Sequence, residues 1–526
     1  MLVQLLCRSQ SRWAGTCVIL AICIRRELSD RGWRGGAAVQ PAQPKSTTLD
    51  GSRETSPGLF EALKAPGGIL QMRPLEIPPH NYKEKQMSKR VVVVGAGFAG
   101  ITAARDLNEL GYRVTLLEAR DRVGGTAYRR KFASSDVDVE LGGAWFAGPR
   151  QPHVHREVVR HGLQYKSDPA VTTFAHLIGG KRIETPVPIE PEDYLAFERG
   201  AFHVLNAAQH LNPDLPIDAQ PLKSFDVGWE EFLSQVELTP NIRDLFNSNA
   251  FDAIGTARDN GSALTLLWST ALFGNSIVNR STLTDQQLEG GTTALIDAIL
   301  GDAPEIDLRL NSPVATVGQD GTGVTVLTVD GTTFKADGVV VAVPVNVWDK
   351  IEFKPPLSPD KIAGGALKPR ARGAKGWALV KNAPAEFYGT GSVTGSNGVS
   401  FIKGEGEIDG HQLLMIFSPV GATEDTPDGF NPLDKEVVQR AVEAFIPGAE
   451  VVEVDGHDWN ADPYSDGAWS CYKVGQIGYL GGMRKPEGRL TFAGSDICRG
   501  WVSWIDGAIE SGTSAAAELD RLISRD

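Results

Sequence analysis

The stretch Arg90–Gly100, RVVVVGAGFAG, restricts what this chain can fold into more than any other segment. Its run Val91-Val-Val-Val94 suits a parallel strand buried on both faces. Gly95-Ala-Gly97-Phe98-Ala99-Gly100 follows at once. Ala103, Ala104, Leu107 and Leu110 then recur at helical spacing as far as Gly111. Arg113–Leu117 reads as a second strand and ends at Glu118, 23 positions after Gly95. A lone GxGxxG is weak, but strand, glycine turn, helix, strand and acid together describe a dinucleotide-binding unit. Gly95 permits the tight turn, Gly97 lets a pyrophosphate reach the backbone, and Gly100 lets helix and strand pack closely. The helix start at Phe98 and Ala99 offers free N–H groups and the positive end of the helix dipole. Glu118 is placed to accept hydrogen bonds from ribose hydroxyls.

Composition supports an ordinary globular protein. Of 526 residues, 41% are hydrophobic and 22% charged, and the 58 glycines follow no fibrous repeat. A net charge of −13 argues against a nucleic-acid partner, which needs a basic surface. The five cysteines show neither a disulfide framework nor metal-ligand spacing, so no metal is expected and a reducing, cytoplasmic setting fits best. Residues 1–86 stand apart, with 12 Lys+Arg against 7 Asp+Glu (+5), leaving 40 against 58 (−18) for 87–526. The apolar Ala14–Ile24 is shorter than the roughly 20 residues that span a bilayer. No prompt small-x-small cleavage site follows it, so export is the lesser reading and a disordered extension the greater. No stable membrane anchor is expected at the C-terminus either, which ends Leu522-Ile-Ser-Arg-Asp526.

Beyond the acid come Ala119, Arg120, Arg122, Gly124, Gly125 and Thr126, then Glu140-Leu-Gly142-Gly143-Ala144-Trp145. Two Gly-Gly pairs so soon after Glu118 suggest a cofactor running further along the chain, with Arg122 near its phosphates. These segments resemble the flavin-containing monoamine oxidase family, whose E-A-x-x-R-x-G-G stands here as Glu118 to Gly125. Gly467-Ala468-Trp469, Gly373-Ala374-Lys375 and Trp504-Ile-Asp506-Gly507 resemble the pattern of bacterial amine oxidases of the nicotine and pseudooxynicotine type. One departure is Thr126, where the family carries arginine. Far away, Phe492-Ala-Gly494-Ser495-Asp496 matches the family's F-A-G-x-[ED] turn, and Trp504-Ile505-Asp-Gly507-Ala508 opens a helix. The resemblance implies that this helix aims its N-terminus at the flavin, steadying negative charge on the reduced ring, with Gly507 and Ala508 small enough to lie against it. It also implies an adenine-edge contact from the backbone of Val314.

For the chemistry, the resemblance assigns Lys375 to the family's active-site lysine beside flavin N5. It assigns Trp469 and Trp504 to the two aromatic rings that flank the substrate amine. Ala468 stands where some relatives carry a cysteine bonded to the flavin. An alanine cannot form that bond, so non-covalent FAD is expected and Cys471 is a decoy. The implied fold is α/β: a Rossmann-like FAD domain from 87–170, 281–345 and 456–526, and a sheet-plus-helices substrate domain from 171–280 and 346–455. Helix-like patterns at 229–237 and 263–273 would cap the pocket. Arg280, Arg370 and Arg372 find no role. The reaction implied is oxidation of an apolar or aromatic amine to an imine, with oxygen or another acceptor reoxidising the flavin and peroxide released with oxygen. A homodimer is compatible with the family. The alternatives are an L-amino-acid oxidase or carbon–carbon desaturase on the same fold, or a flavin-binding interaction protein without turnover.

Overall fold

The computed structural model describes residues 60–62, 72–74, 89–133, 135–221, 224–254, 261–282, 286–392, 398–421 and 429–524. Two units separate, one formed by residues 17–85 and the other containing 86–526. Within the first, Phe60–Ala62 pairs antiparallel with Met72–Pro74. The rest of residues 1–86, with the disorder expected for them, lies outside the described residues.

The larger unit is organised by Val91–Val94. Both faces of this strand are covered, which is why its side chains are uniformly apolar. It lies at the centre of a five-stranded parallel sheet in the order Asp307–Arg309, Arg113–Leu117, Arg90–Val94, Gly338–Val341, Leu490–Phe492. Segments from three distant parts of the sequence therefore share one sheet. Helix Phe98–Glu109 packs on this sheet and crosses the C-terminal helix Ile505–Ile523 at close range. Gly512 makes that crossing possible, since a Cβ there would stand 2.3 Å from the Ala99 carbonyl oxygen. Beside this layer lies a four-stranded sheet, Thr333–Ala336, Val324–Thr328, Val314–Gln319 and Glu352–Lys354.

A six-stranded sheet forms a second wall in the order Glu450–Gly456, Ala374–Lys381, His411–Ser418, Phe401–Ile408, Phe387–Thr390, Thr173–Phe174. Lys375 is paired with Phe417, and Phe417 in turn with Phe401, so the three form one row across it. Helices Tyr194–Ala208, Pro240–Ile254 and Ala263–Leu272 pack together in a further layer. The helix expected over 229–237 is shorter, Trp229–Leu233. Its end tightens into i→i+3 bonds from Gln235 to Phe232 and Val236 to Leu233. Pro240 then opens the next helix and disfavours helical geometry at Thr239.

Candidate active site

The glycine turn is built as its spacing requires. Gly95 adopts φ +100°, and a Cβ on it would meet the Ala342 carbonyl oxygen at 2.6 Å. Gly100 is closed still more tightly, 1.8 Å from the Gly95 oxygen. Gly97 differs, because a Cβ there would find only the Cα of Gly125, at 3.8 Å. Gly97 caps helix Phe98–Glu109 with no side-chain hydrogen bond, and Gly124 bridges to it. Gly124 and Gly125 have φ of +99° and +60°. Phe98 and Ala99 are buried beneath the turn.

Two charged groups face this turn. Glu118 is buried, and its carboxylate accepts from Ala96 N at 2.8 Å and Arg120 N at 2.9 Å. Half-buried Ala119 lies between those anchors. Arg122 Nη1 donates to the Gly125 carbonyl at 2.9 Å, and its guanidinium lies 3.7 Å from the Tyr128 ring centroid. Its Nη2 is buried and has no partner among the described residues. Burial first, and then the neighbouring charge of Arg120, pull its pKa below the usual guanidinium value. An orphaned guanidinium N–H beside a backbone-lined glycine turn fits a pyrophosphate. Arg120 is engaged elsewhere, donating to Asp462 at 2.6 Å and Ser465 at 2.8 Å. Val314 is brought alongside by Asn311 N and Ser312 N, which donate to the Arg120 and Glu118 carbonyls.

The second Gly-Gly pair lines the approach to Lys375. A Cβ on Gly142 would meet the Thr126 carbonyl at 1.7 Å, whereas Gly143 faces open space. Ala144 is buried and Trp145 half-buried. Indole nitrogens of Trp377 and Trp459 donate to the carbonyls of Glu140 and Leu141, at 3.0 and 2.9 Å, and so fix this stretch. Lys375, 5% exposed on strand Ala374–Lys381, donates to the Gly142 carbonyl at 3.1 Å and sits 4.5 Å from the Trp145 ring centroid. Burial pushes its pKa down to about 8, against the opposing pull of Glu140, Glu405 and Asp168.

Aromatic rings continue from there. Phe401 stacks on Phe417, and Phe417 on Trp469, each pair with centroids 4.9 Å apart. Trp145 stands 6.1 Å from Phe401. Trp469 is seated on Gly373, where a Cβ would lie 1.8 Å from Cη2, and its indole Nε1 is buried without a partner among the described residues. Trp504 packs edge-on against Trp501 at 5.7 Å and Phe273 at 6.2 Å. A hydrogen bond of 3.0 Å from Ser470 N to Ser503 Oγ links the neighbours of Trp469 and Trp504. Lys375 thus lies across from Phe417, which stacks on Trp469, and Trp469 is linked to Trp504 through their chain neighbours Ser470 and Ser503.

In the Gly494 turn, Gly494 N donates to Ser511 Oγ at 3.1 Å, and the Ser495 carbonyl accepts from Ser503 N at 3.0 Å. Asp496 is buried, accepts from Val345 N at 2.6 Å and is pushed up to about 6 by burial. Ile505 and Ala508 open the last helix behind Trp504, and Ala508 N donates to the Trp504 carbonyl. Gly507 serves a different purpose from the one expected. Its missing side chain leaves room for the Trp501 carbonyl, 2.2 Å from a would-be Cβ, and for Cys498 Sγ at 2.5 Å. Arg370 pairs with Asp466, and Arg280 donates to the Asn249 carbonyl.

Sequence reasoning passed over several residues that shape this region. Tyr128 lies under Arg122, Phe401 and Phe417 carry the ring stack, and Ser503 joins two segments. Alternation along the 401–418 hairpin was the available signal for the phenylalanines; nothing in the sequence marked the other two.

The fold and this arrangement fit a dinucleotide-binding α/β protein with a row of aromatic rings beside a buried lysine. The family model described as flavin containing amine oxidoreductase matches residues 98–520. (S)-6-hydroxynicotine oxidase of Paenarthrobacter nicotinovorans is 30% identical over 81% of this chain and 97% of its own length. Nicotine dehydrogenase of Pseudomonas putida is 34% identical over 82% and 89%. Cyclohexylamine oxidase from Brevibacterium oxydans shares the fold with a TM-score of 0.70 at 19% identity, over 83% of this chain and all of that one. The chain belongs to the flavin-containing amine oxidase family and is an FAD-dependent enzyme that oxidises amines. Among the described residues, no helix is long and apolar enough to cross a membrane.

Proposed function

We propose that this enzyme oxidises a secondary amine carried on an apolar, heteroaromatic frame, bound against Trp469 and Trp504. The observation that carries this reading is the ring stack Phe401–Phe417–Trp469, which runs up to buried Lys375. Flat rings favour flat substrates, and electron-rich indole faces favour an amine. The names of two relatives, a hydroxynicotine oxidase and a nicotine dehydrogenase, point the same way.

Bound FAD would supply the acceptor for a hydride from the carbon bearing nitrogen, with oxygen or another acceptor as the final oxidant. Arg122, Gly97, Gly124 and Gly125 would hold its pyrophosphate, with Glu118 and the Val314 backbone at the adenosine end. The turn at Gly494, Ser495 and Asp496 and the helix start at Ile505 and Ala508 would meet the rest, with Thr126, Gly142, Gly143, Ala144 and Trp145 along the ring. Lys375 holds a proton at Nζ in a dry site, where a positive charge favours negative charge developing nearby. Trp469 and Trp504 orient the amine and exclude water. Arg120 braces the cofactor loop through Asp462. The cofactor portion of the fold would be 87–170, 281–345 and 456–526, and the substrate portion 171–280 and 346–455. A cytoplasmic location remains the proposal for setting, and homodimerisation is the family-based proposal for assembly.

The test is anaerobic. Yellow, FAD-loaded protein is mixed with primary, secondary and polyamine substrates while flavin absorbance is followed. Secondary aromatic amines should bleach it fastest. Preferential bleaching by an amino acid would favour the amino-acid oxidase reading, and failure with every amine would reject the proposal.

A further inference from the structure

Ser503 has a left-handed backbone, φ +71°, where a side chain other than glycine is uncommon. A non-glycine residue in this region stores strain that the surrounding structure must hold. Two hydrogen bonds do so. Ser503 N donates to the Ser495 carbonyl at 3.0 Å, and Ser503 Oγ accepts from Ser470 N at 3.0 Å. The next residue, Trp504, returns to extended geometry, φ −101° and ψ 159°, and caps helix Ile505–Ile523.

The anchors on either side belong to different parts of the fold. Trp469 is held by Ala371, whose N–H donates to the Trp469 carbonyl at 2.8 Å, and by its seat on Gly373. Trp504 is held by Trp501, Phe273 and the first turn of the last helix. Ser503 Oγ joins these two sets, one residue from each indole. The kink at Ser503 also sets the direction in which the chain presents Trp504.

We propose that Ser503 is a positioning residue that fixes the spacing and relative orientation of Trp469 and Trp504. Its left-handed backbone aims one ring, and its hydroxyl ties down the other. This inference rests on the proposed role of the two indoles as the walls of the amine slot. Removing the hydroxyl leaves Ser470 N–H without its acceptor and lets the slot widen, while the cofactor turn at Gly95–Gly100 is untouched.

The test compares Ser503→Ala, Ser503→Gly and Ser503→Asn as FAD-loaded proteins carrying 5-fluorotryptophan. Trp469→Phe and Trp504→Phe assign the two fluorine resonances. Alanine and glycine should both shift or broaden those resonances. Asparagine, which tolerates the left-handed region and keeps an acceptor oxygen, should restore them. With a secondary aromatic amine, Ser503→Ala should raise KM on the order of tenfold with a smaller change in kcat, at unchanged FAD content. Glycine should recover thermal stability without recovering KM, because it relieves strain but supplies no acceptor. Unmoved fluorine resonances in Ser503→Ala would overturn the inference whether or not any amine is oxidised. Moved resonances with wild-type KM, in a protein that amines bleach, would overturn the role in the slot while leaving the amine-oxidising reading intact. Resonances that move in a protein no amine bleaches would sustain the positioning role and reject the function proposed above.

Discussion

Buried Lys375 is the residue where sequence, burial and chemistry converge. An ammonium stripped of water is costly, and here its partners are the Gly142 carbonyl and the Trp145 ring face. Burial lowers its pKa to about 8, so the proton is held below that pH and lost above it. A flavin step that needs the charge should therefore slow as pH rises through about 8. Lys375→Met should slow that step at least about tenfold at pH 7 and abolish the limb, while FAD content stays the same; stopped-flow absorbance across pH 6–10 reads both. A second residue-scale outcome concerns Ala468. With no thiol there, and with Cys471 buried on the Pro369 side, unfolding in guanidinium followed by filtration should release all the yellow colour. Colour retained on the chain would contradict non-covalent binding.

At the scale of elements, the crossing of helices Phe98–Glu109 and Ile505–Ile523 binds two distant parts of the sequence into one layer. Gly512 is pressed against Ala99 and Thr102, so Gly512→Val should force the helices apart. Overpacking of this kind costs about 1–3 kcal/mol, and it should appear as lower Tm and weaker FAD retention, because Ala99 belongs to the turn proposed to hold the pyrophosphate. The N-terminus of helix Pro152–Arg160 offers a different check. Asp506 is buried and accepts there from His153 N at 2.7 Å and Val154 N at 2.8 Å. Burial nevertheless pushes its pKa up to about 7. The fold thus favours the protonated acid, and that contribution is complete below the ordinary value of 3.8 and lost as pH rises to about 7. Asp506→Asn keeps an oxygen for both N–H groups and does not titrate. Its Tm at pH 8 should exceed wild type by about 3 °C, with the difference shrinking toward pH 4. A constant difference across pH would contradict the burial argument.

Across the whole molecule, what was legible in the sequence was whatever depends on backbone need. A buried parallel strand has to be apolar on both sides, and a tight turn beneath a helix needs Gly95 and Gly100, so that layer could be read directly. Lys375 was legible as a site candidate through the resemblance. The depth of its burial was not, because that depends on Trp145 and Gly142, more than 200 positions earlier. The same limit hid Ser503, whose meaning comes from Ser470 and Ser495, and Tyr128, whose ring lies flat under Arg122. It also misdirected the reading of Gly507, since a small residue answers equally to a ligand or to a neighbouring carbonyl. Helices Pro240–Ile254 and Ala263–Leu272 carried only their apolar spacing, and the short Trp229–Leu233 tightens into i→i+3 bonds well before Pro240 opens the next helix.

The flavin ring is expected between the Gly142–Lys375 contact and the indoles of Trp469 and Trp504. A crystal structure of the FAD-loaded enzyme with an unreactive aromatic amine would measure it directly. The expected result is the ring edge within one water's reach of Lys375 Nζ, the pyrophosphate on Arg122 and Gly97, and the amine between Trp469 and Trp504. A ring found away from Lys375, or an amine bound outside those two indoles, would contradict it.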